Sequence, residues 1–182
     1  TGMLVYLGRY EARLRTEIER LARWPSPVAA EPTTGIGRIL EYGGRLMQAS
    51  CVVVLWEAND EPATHLARWT PQGVDVHSVP PGSLQPVTDE AVADATFICE
   101  GPVAQSKSVR VADRSGRLLK RDGLPLDERI SELLTGTGLA TSPISAGLLT
   151  GRVYFSALGT PPLEAVPLTE VLAREKIGRA HV

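Results

Sequence analysis

The chain has 182 residues, 43% of them apolar and 22% charged, with a formal net charge of −2. This is the composition of a globular domain with a sizeable core, and it excludes a disordered chain. No basic face points to nucleic acid, and no apolar run reaches the ~18 residues that span a bilayer.

Taken in chain order, residues 4–24 read as one helix. Leu4, Leu7, Glu11, Leu14, Ile18 and Leu21 alternate spacings of three and four, a heptad seam with one polar interruption. So narrow a seam expects a helical partner, which makes Leu7, Leu14, Ile18 and Leu21 the candidate dimerisation residues of a homodimer. Packing against its own domain is the other reading of the same seam. The opening TGMLVYLGRYEARLR, a short apolar run followed by arginines, reads equally as the cytoplasmic end of a membrane helix and as an arbitrarily cut amphipathic helix. Trp24-Pro25-Ser26-Pro27 ends it, because proline cannot continue a helix interior.

TTGIGRILEYGGRLMQAS is expected to form a second helix, capped by Thr33 or Thr34, with an apolar stripe broken at Gly43-Gly44. CVVVLWEAND is a β-branched strand running into turn residues, and THLARWT and VDVHSVPPG alternate as half-buried strands do. TDEAVADATFIC reads as a short helix with Thr88 as its cap. KSVRVAD and RLLKRDG are short strands around an Asp-Arg-Ser-Gly turn. PLDERISELLTGTG is a helix that stops before Gly136. LATSPIS and GRVYFSAL are strands joined so tightly that they must be antiparallel. PPLEAVPLTEVLARE closes as a helix with Leu168, Val171 and Leu172 inward. The final KIGRAHV breaks that pattern, and its codons would spell a common sequencing adapter, so native sequence is expected to end near Glu175. The element order gives an α+β fold, one antiparallel sheet covered by helices.

Few residues carry chemistry. Cys51 and Cys99 lie far apart in apolar runs, as small buried hydrophobes do, which suits a reducing cytosol. The GTGL at Gly136–Leu139 resembles a phosphate-binding glycine motif. It follows the end of a helix, however, where the macrodipole is negative and repels phosphate. His65 and His77 lack metal-ligand spacing, and no serine sits in a GxSxG. No catalytic residue and no metal ligand is assigned. Asp89, Glu90 and Asp94 read as solvated charges. Trp56, Trp69, Phe97 and Cys99 are the candidate ligand-binding residues, since small-molecule pockets are mostly apolar, although core packing explains the same residues.

SPISAGLLTGRVYFSAL resembles the closing hairpin of GAF domains, with Pro143-Ile144 and Gly151-Arg152-Val153-Tyr154-Phe155 in the places of its small-residue and glycine patterns. The flanking helices match as well, over roughly residues 24–175. The resemblance implies a GAF-like central antiparallel sheet flanked by helices, with an N-terminal coiled-coil-like signalling helix. YEARLRTEIERLARWPSP leading into such a domain resembles bacterial sensor histidine kinases. That implies a signalling helix at 1–24, a sensory domain at 25–175, a non-native tail at 176–182, and a parent with a kinase core and a response regulator as partner. The fragment would be its cytoplasmic input domain, with the parent anchored in the inner membrane as one arrangement. The alternative is a ligand-free structural dimerisation module. The phospho-acceptor histidine box, the ATP-binding boxes and the NKFDE-type cyclic-nucleotide signature do not occur in these residues, and nothing in them names a cofactor.

Overall fold

The structure, a computed structural model, describes residues 32–58, 62–146, 149–159 and 162–174. The expected signalling helix with Leu7, Leu14, Ile18 and Leu21, and the tail at 176–182, lie outside the described residues. Helix α1 (Pro32–Met47) leads into β1 (Ala49–Ala58), β2 (Thr64–Thr70) and β3 (Gly73–Val79). A 3₁₀ turn (Glu90–Val92), β4 (Phe97–Pro102), a second turn (Val103–Gln105), β5 (Ser108–Ala112) and β6 (Leu118–Asp122) follow. Helix α2 (Glu128–Leu133), β7 (Thr137–Ala146), β8 (Leu149–Leu158) and α3 (Pro162–Leu172) complete the described chain.

The strands form one eight-stranded sheet in the order β3-β2-β1-β8-β7-β4-β5-β6. Every neighbouring pair is antiparallel. The β7–β8 hairpin lies at its centre, in register from Leu139↔Ser156 to Ala146↔Leu149. Because side chains alternate along a strand, β1 builds two cores at once. Val52, Val54 and Trp56 face α1 and α3, whereas Cys51, Val53 and Leu55 face α2 and the loops. No described helix is long and apolar enough to cross a membrane.

Several local expectations are corrected. Helix α1 begins at Pro32, so Thr33 and Thr34 lie within it and do not cap it. Proline suits the first helical position, where its missing N–H would bond nothing. TDEAVADATFIC is no helix beyond a single turn. Asp89, not Thr88, caps that turn by accepting from Ala91 N at 3.0 Å, and Phe97 to Cys99 enter the sheet, where apolar and aromatic side chains bury fully. Strand β3 is an edge with mostly exposed side chains, not a half-buried strand, because it lies at the rim of the sheet. Gly136 does follow the α2 helix and adopts φ +74°, a left-handed conformation that glycine supplies without steric cost.

Gly43-Gly44 is not a gap in the α1 stripe but its closest approach to the sheet. A Cβ at Gly44 would overlap the buried Trp69 ring, with Cε3 at 2.8 Å. Gly44→Ala should therefore destabilise by about 1 kcal/mol, since overpacking of about 2 kcal/mol exceeds the roughly 1 kcal/mol gained in helix propensity. Urea unfolding checks this, and a stabilised variant would show that Trp69 does not press on the helix.

Candidate functional site

The opening in the sheet's loop-covered face is a cleft of about 330 Å³ at the end of the β7–β8 hairpin. Strand alternation and register put Leu55, Glu57, Thr64, Pro143, Thr150 and Arg152 on that one face. The loop residues Pro86, Val87, Ala93 and Asp94 close it from the other side. Glu57 and Asp94 are exposed at the cleft, and Glu57 accepts a hydrogen bond from the buried Thr64 hydroxyl.

Arg152 is the feature that composition and motif reading miss. It is 1% exposed, in the middle of a central strand. Its Nη2 donates to the carbonyls of Val92 (3.2 Å), Ala93 (2.6 Å) and Ala95 (2.9 Å), and its Nη1 to Thr141 Oγ1 (3.2 Å). The guanidinium carbon lies 5.1 Å from the centre of the Phe97 ring, within cation–π range. Burial lowers the guanidinium pKa to about 10, against the opposing attraction of Tyr154 and Asp94. Two positions on, the buried Tyr154 hydroxyl donates to Pro86 O at 2.6 Å, and burial pushes its phenol well above the ordinary range. One strand thus holds the loop at both of its ends. The signal available in sequence was an arginine inside GRVYF, on the same face as Tyr154 by strict alternation.

The candidate residues fall on two faces. Trp56 and Trp69 belong to the helix-side core, and Phe97 and Cys99 to the loop-side core, so no single cavity gathers the four. Trp56 stacks on His65 with ring centres 5.2 Å apart. It borders the cleft, yet alternation turns its side chain to the other face, as it does that of Ile144. Trp69 lines a shallow surface groove between α1 and the β2–β3 turn. Phe97 lies beneath Arg152, and the Cys99 thiol meets Ser106 Oγ and the Gly101 carbonyl. Asp89, read as a solvated charge, caps the 3₁₀ turn and pairs with Arg121. Among the described residues no group of three or more His, Cys, Asp or Glu could hold a metal ion.

Compared with models of known protein families and with curated proteins, the sequence matches none. In structure the chain is similar to the phycoerythrobilin-bound GAF domain from a cyanobacterial phytochrome, at 17% identity and a TM-score of 0.57. The superposition covers 94% of this chain and 96% of that one. At that identity the likeness shows the fold alone: a GAF-like domain built on a central antiparallel sheet.

Proposed function

We propose that this GAF-like domain is a sensory or regulatory input domain, and that it serves a two-component sensor histidine kinase. The observation that carries the first part is the double duty of β8. On one face its Arg152 and Tyr154 hold the loop that closes the cleft. On the other, Phe155 packs where α1 and α3 meet: a Cβ at Gly43 would lie 3.2 Å from the Phe155 ring and 3.8 Å from Leu172. A molecule that changes how the loop sits on β8 therefore acts, through one strand, on the packing of α1 against α3. Two packed helices with discrete arrangements are a common switching element. The phycoerythrobilin of the neighbouring structure is not carried over to this chain, whose cleft lies at the small end of the ~300–1,000 Å³ range of ligand sites.

The kinase setting, a response regulator partner and a cytoplasmic location follow from the sequence resemblance, a homodimer from the N-terminal heptad seam, and all are part of the proposal. A second reading, a ligand-free dimerisation module, is favoured by one observation: beside the cleft, Phe97, Ile130, Leu139 and Tyr154 pack the loop-side face with fully buried side chains. Hydrogen exchange separates the two. A molecule in the cleft at 100 times its dissociation constant should add about 2.7 kcal/mol of stability and slow exchange in α1 and α3 as well as in the loop. Protection confined to the loop would sink the input reading. Reading the source gene past codon 175 tests the kinase setting, which fails if no histidine-bearing helix follows.

A further inference from the structure

We propose that the free edge of β3 pairs with the β3 edge of a second copy of this chain, about a two-fold axis at Val76, so that two sheets become one. β3 ends the sheet, with β2 as its neighbour among the described residues. A free edge is a template for another strand, and proteins ordinarily blunt it with lysine, proline, a bulge or short length. The opposite edge is blunted in this way: β6 has five residues and carries Lys120 and Arg121, with Arg110 directly across from Lys120. β3 carries no such device. Its seven residues, GVDVHSV, contain no lysine, arginine or proline, and their register with β2 runs without a bulge. Val74 on this edge is a large apolar side chain left 40% exposed.

Backbone phase and charge together select one register. Thr70 and Gly73 close the two-residue β2–β3 turn as a hydrogen-bonded pair, so by alternation Asp75 and His77 also turn their N–H and C=O groups toward β2. Val74, Val76 and Ser78 turn theirs outward. An axis at Val76 sets Val76 against the partner's Val76 and Val74 against the partner's Ser78, and each such pair exchanges both of its N–H···O bonds. The whole strand is used, with Gly73 meeting the partner's Val79. The same axis sets Asp75 directly against the partner's His77, in the non-hydrogen-bonded pairs where side chains come closest. Both side chains are available for this, Asp75 at 77% and His77 at 46% exposure. An axis at Asp75 or at His77 keeps the backbone phase but sets Asp75 against Asp75, or His77 against His77. Opposite charges meet in the register centred on Val76. This edge shares no residue with the N-terminal heptad seam, so the two associations are separable.

Amide hydrogen exchange of the whole 182-residue chain, read by NMR at about 50 μM and about 1 mM, tests this. The Val74, Val76 and Ser78 amides should be protected at the higher concentration and exchange about threefold faster on dilution, as mass action on a dimer requires. Asp75 and His77 amides, bonded to β2, should stay protected at both. His77→Asp sets like charges across the axis and should abolish the protection of Val74, Val76 and Ser78. Combining it with Asp75→His restores opposite charges and should bring that protection back. Both substitutions fall on exposed side chains, and continued protection of the amides at 75 and 77 reports that the strand is still folded on β2. Unprotected exchange at Val74, Val76 and Ser78 at about 1 mM overturns the proposal, and leaves a dimer through the helical seam standing if the chain still self-associates. Protection that survives His77→Asp, or that the double exchange does not restore, overturns it as well.

Discussion

Replacing Arg152 with leucine is expected to lower the unfolding free energy by about 3 kcal/mol, the difference of two larger opposed effects. The first favours leucine. Burial brings the guanidinium down from its ordinary range to about 10, the field of Tyr154 and Asp94 notwithstanding, so holding the charge in place costs on the order of 3 kcal/mol. The second favours arginine. Without it the carbonyls of Val92, Ala93 and Ala95 and the buried Thr141 hydroxyl lose their shared donor, and a hydrogen bond to a charged group contributes about 1.5–3 kcal/mol. The four together outweigh the relief roughly twofold. Lysine should recover part of the loss, because one ammonium keeps the charge but cannot span the fork that three carbonyls and Thr141 share. Urea unfolding followed by tryptophan fluorescence measures this. A loss below about 1 kcal/mol at unchanged denaturant slope would show that water replaces the guanidinium beneath the loop. The anchoring of residues 86–95 on β8, and with it the route from cleft to helices, would then be discarded.

How much of this was legible in sequence follows from what each residue's role depends on. The β7–β8 hairpin was, because two strand-like runs joined by so short a glycine-containing connection can only pair antiparallel. The end of α2 before Gly136 was too, although Leu134 caps it in an extended conformation and the left-handed Gly136 serves the bend into β7. The turn at Asp89 was not: Thr88 and Asp89 are both good caps, and only the burial of Phe97 and Ile98 against β7 decides where the turn ends and the strand begins. Gly44 misled for a similar reason. A glycine pair reads locally as weak helix, whereas its use is set by Trp69, distant in sequence and pressed against it. The cleft was least legible. Its residues come from β1, β2, β7, β8 and a loop, and choosing apolar residues as lining picked side chains from both faces of the sheet. The buried arginine was the better pointer, because a cation in a central strand requires partners that an apolar side chain does not.

Ile144→Asp tests the placement of the hairpin most severely, and it should abolish the cooperative unfolding transition at pH 7. Ile144 is 2% exposed and belongs to the helix-side core with Trp56, Val153 and Phe155. A carboxylate there has no cation to meet, so it would take up a proton, with its pKa raised by up to about 3–5 units. At neutral pH that alone removes about 4 kcal/mol, the cost of protonating a group with an unfolded pKa near 3.9, and about 2 kcal/mol of apolar burial goes with it. Against a stability of about 5–15 kcal/mol, the fold is at or past its limit. The sign of the pH dependence follows. The introduced carboxyl has a folded-state pKa above its unfolded value near 3.9, so its full penalty is present above the folded pKa and recedes as pH falls toward the unfolded one. Ile144→Asn lacks that titration, and Ile144→Val should lose only about 1 kcal/mol. The charged variant should therefore regain structure between pH 7 and pH 5 while the asparagine variant does not, as circular dichroism would report. A native-like melt of Ile144→Asp at pH 7 would mean that the side chain reaches water through the cleft it borders. Strand β7 would then present its other face to the helices, and Arg152, opposite Pro143 in the same register, could not be buried beneath the loop.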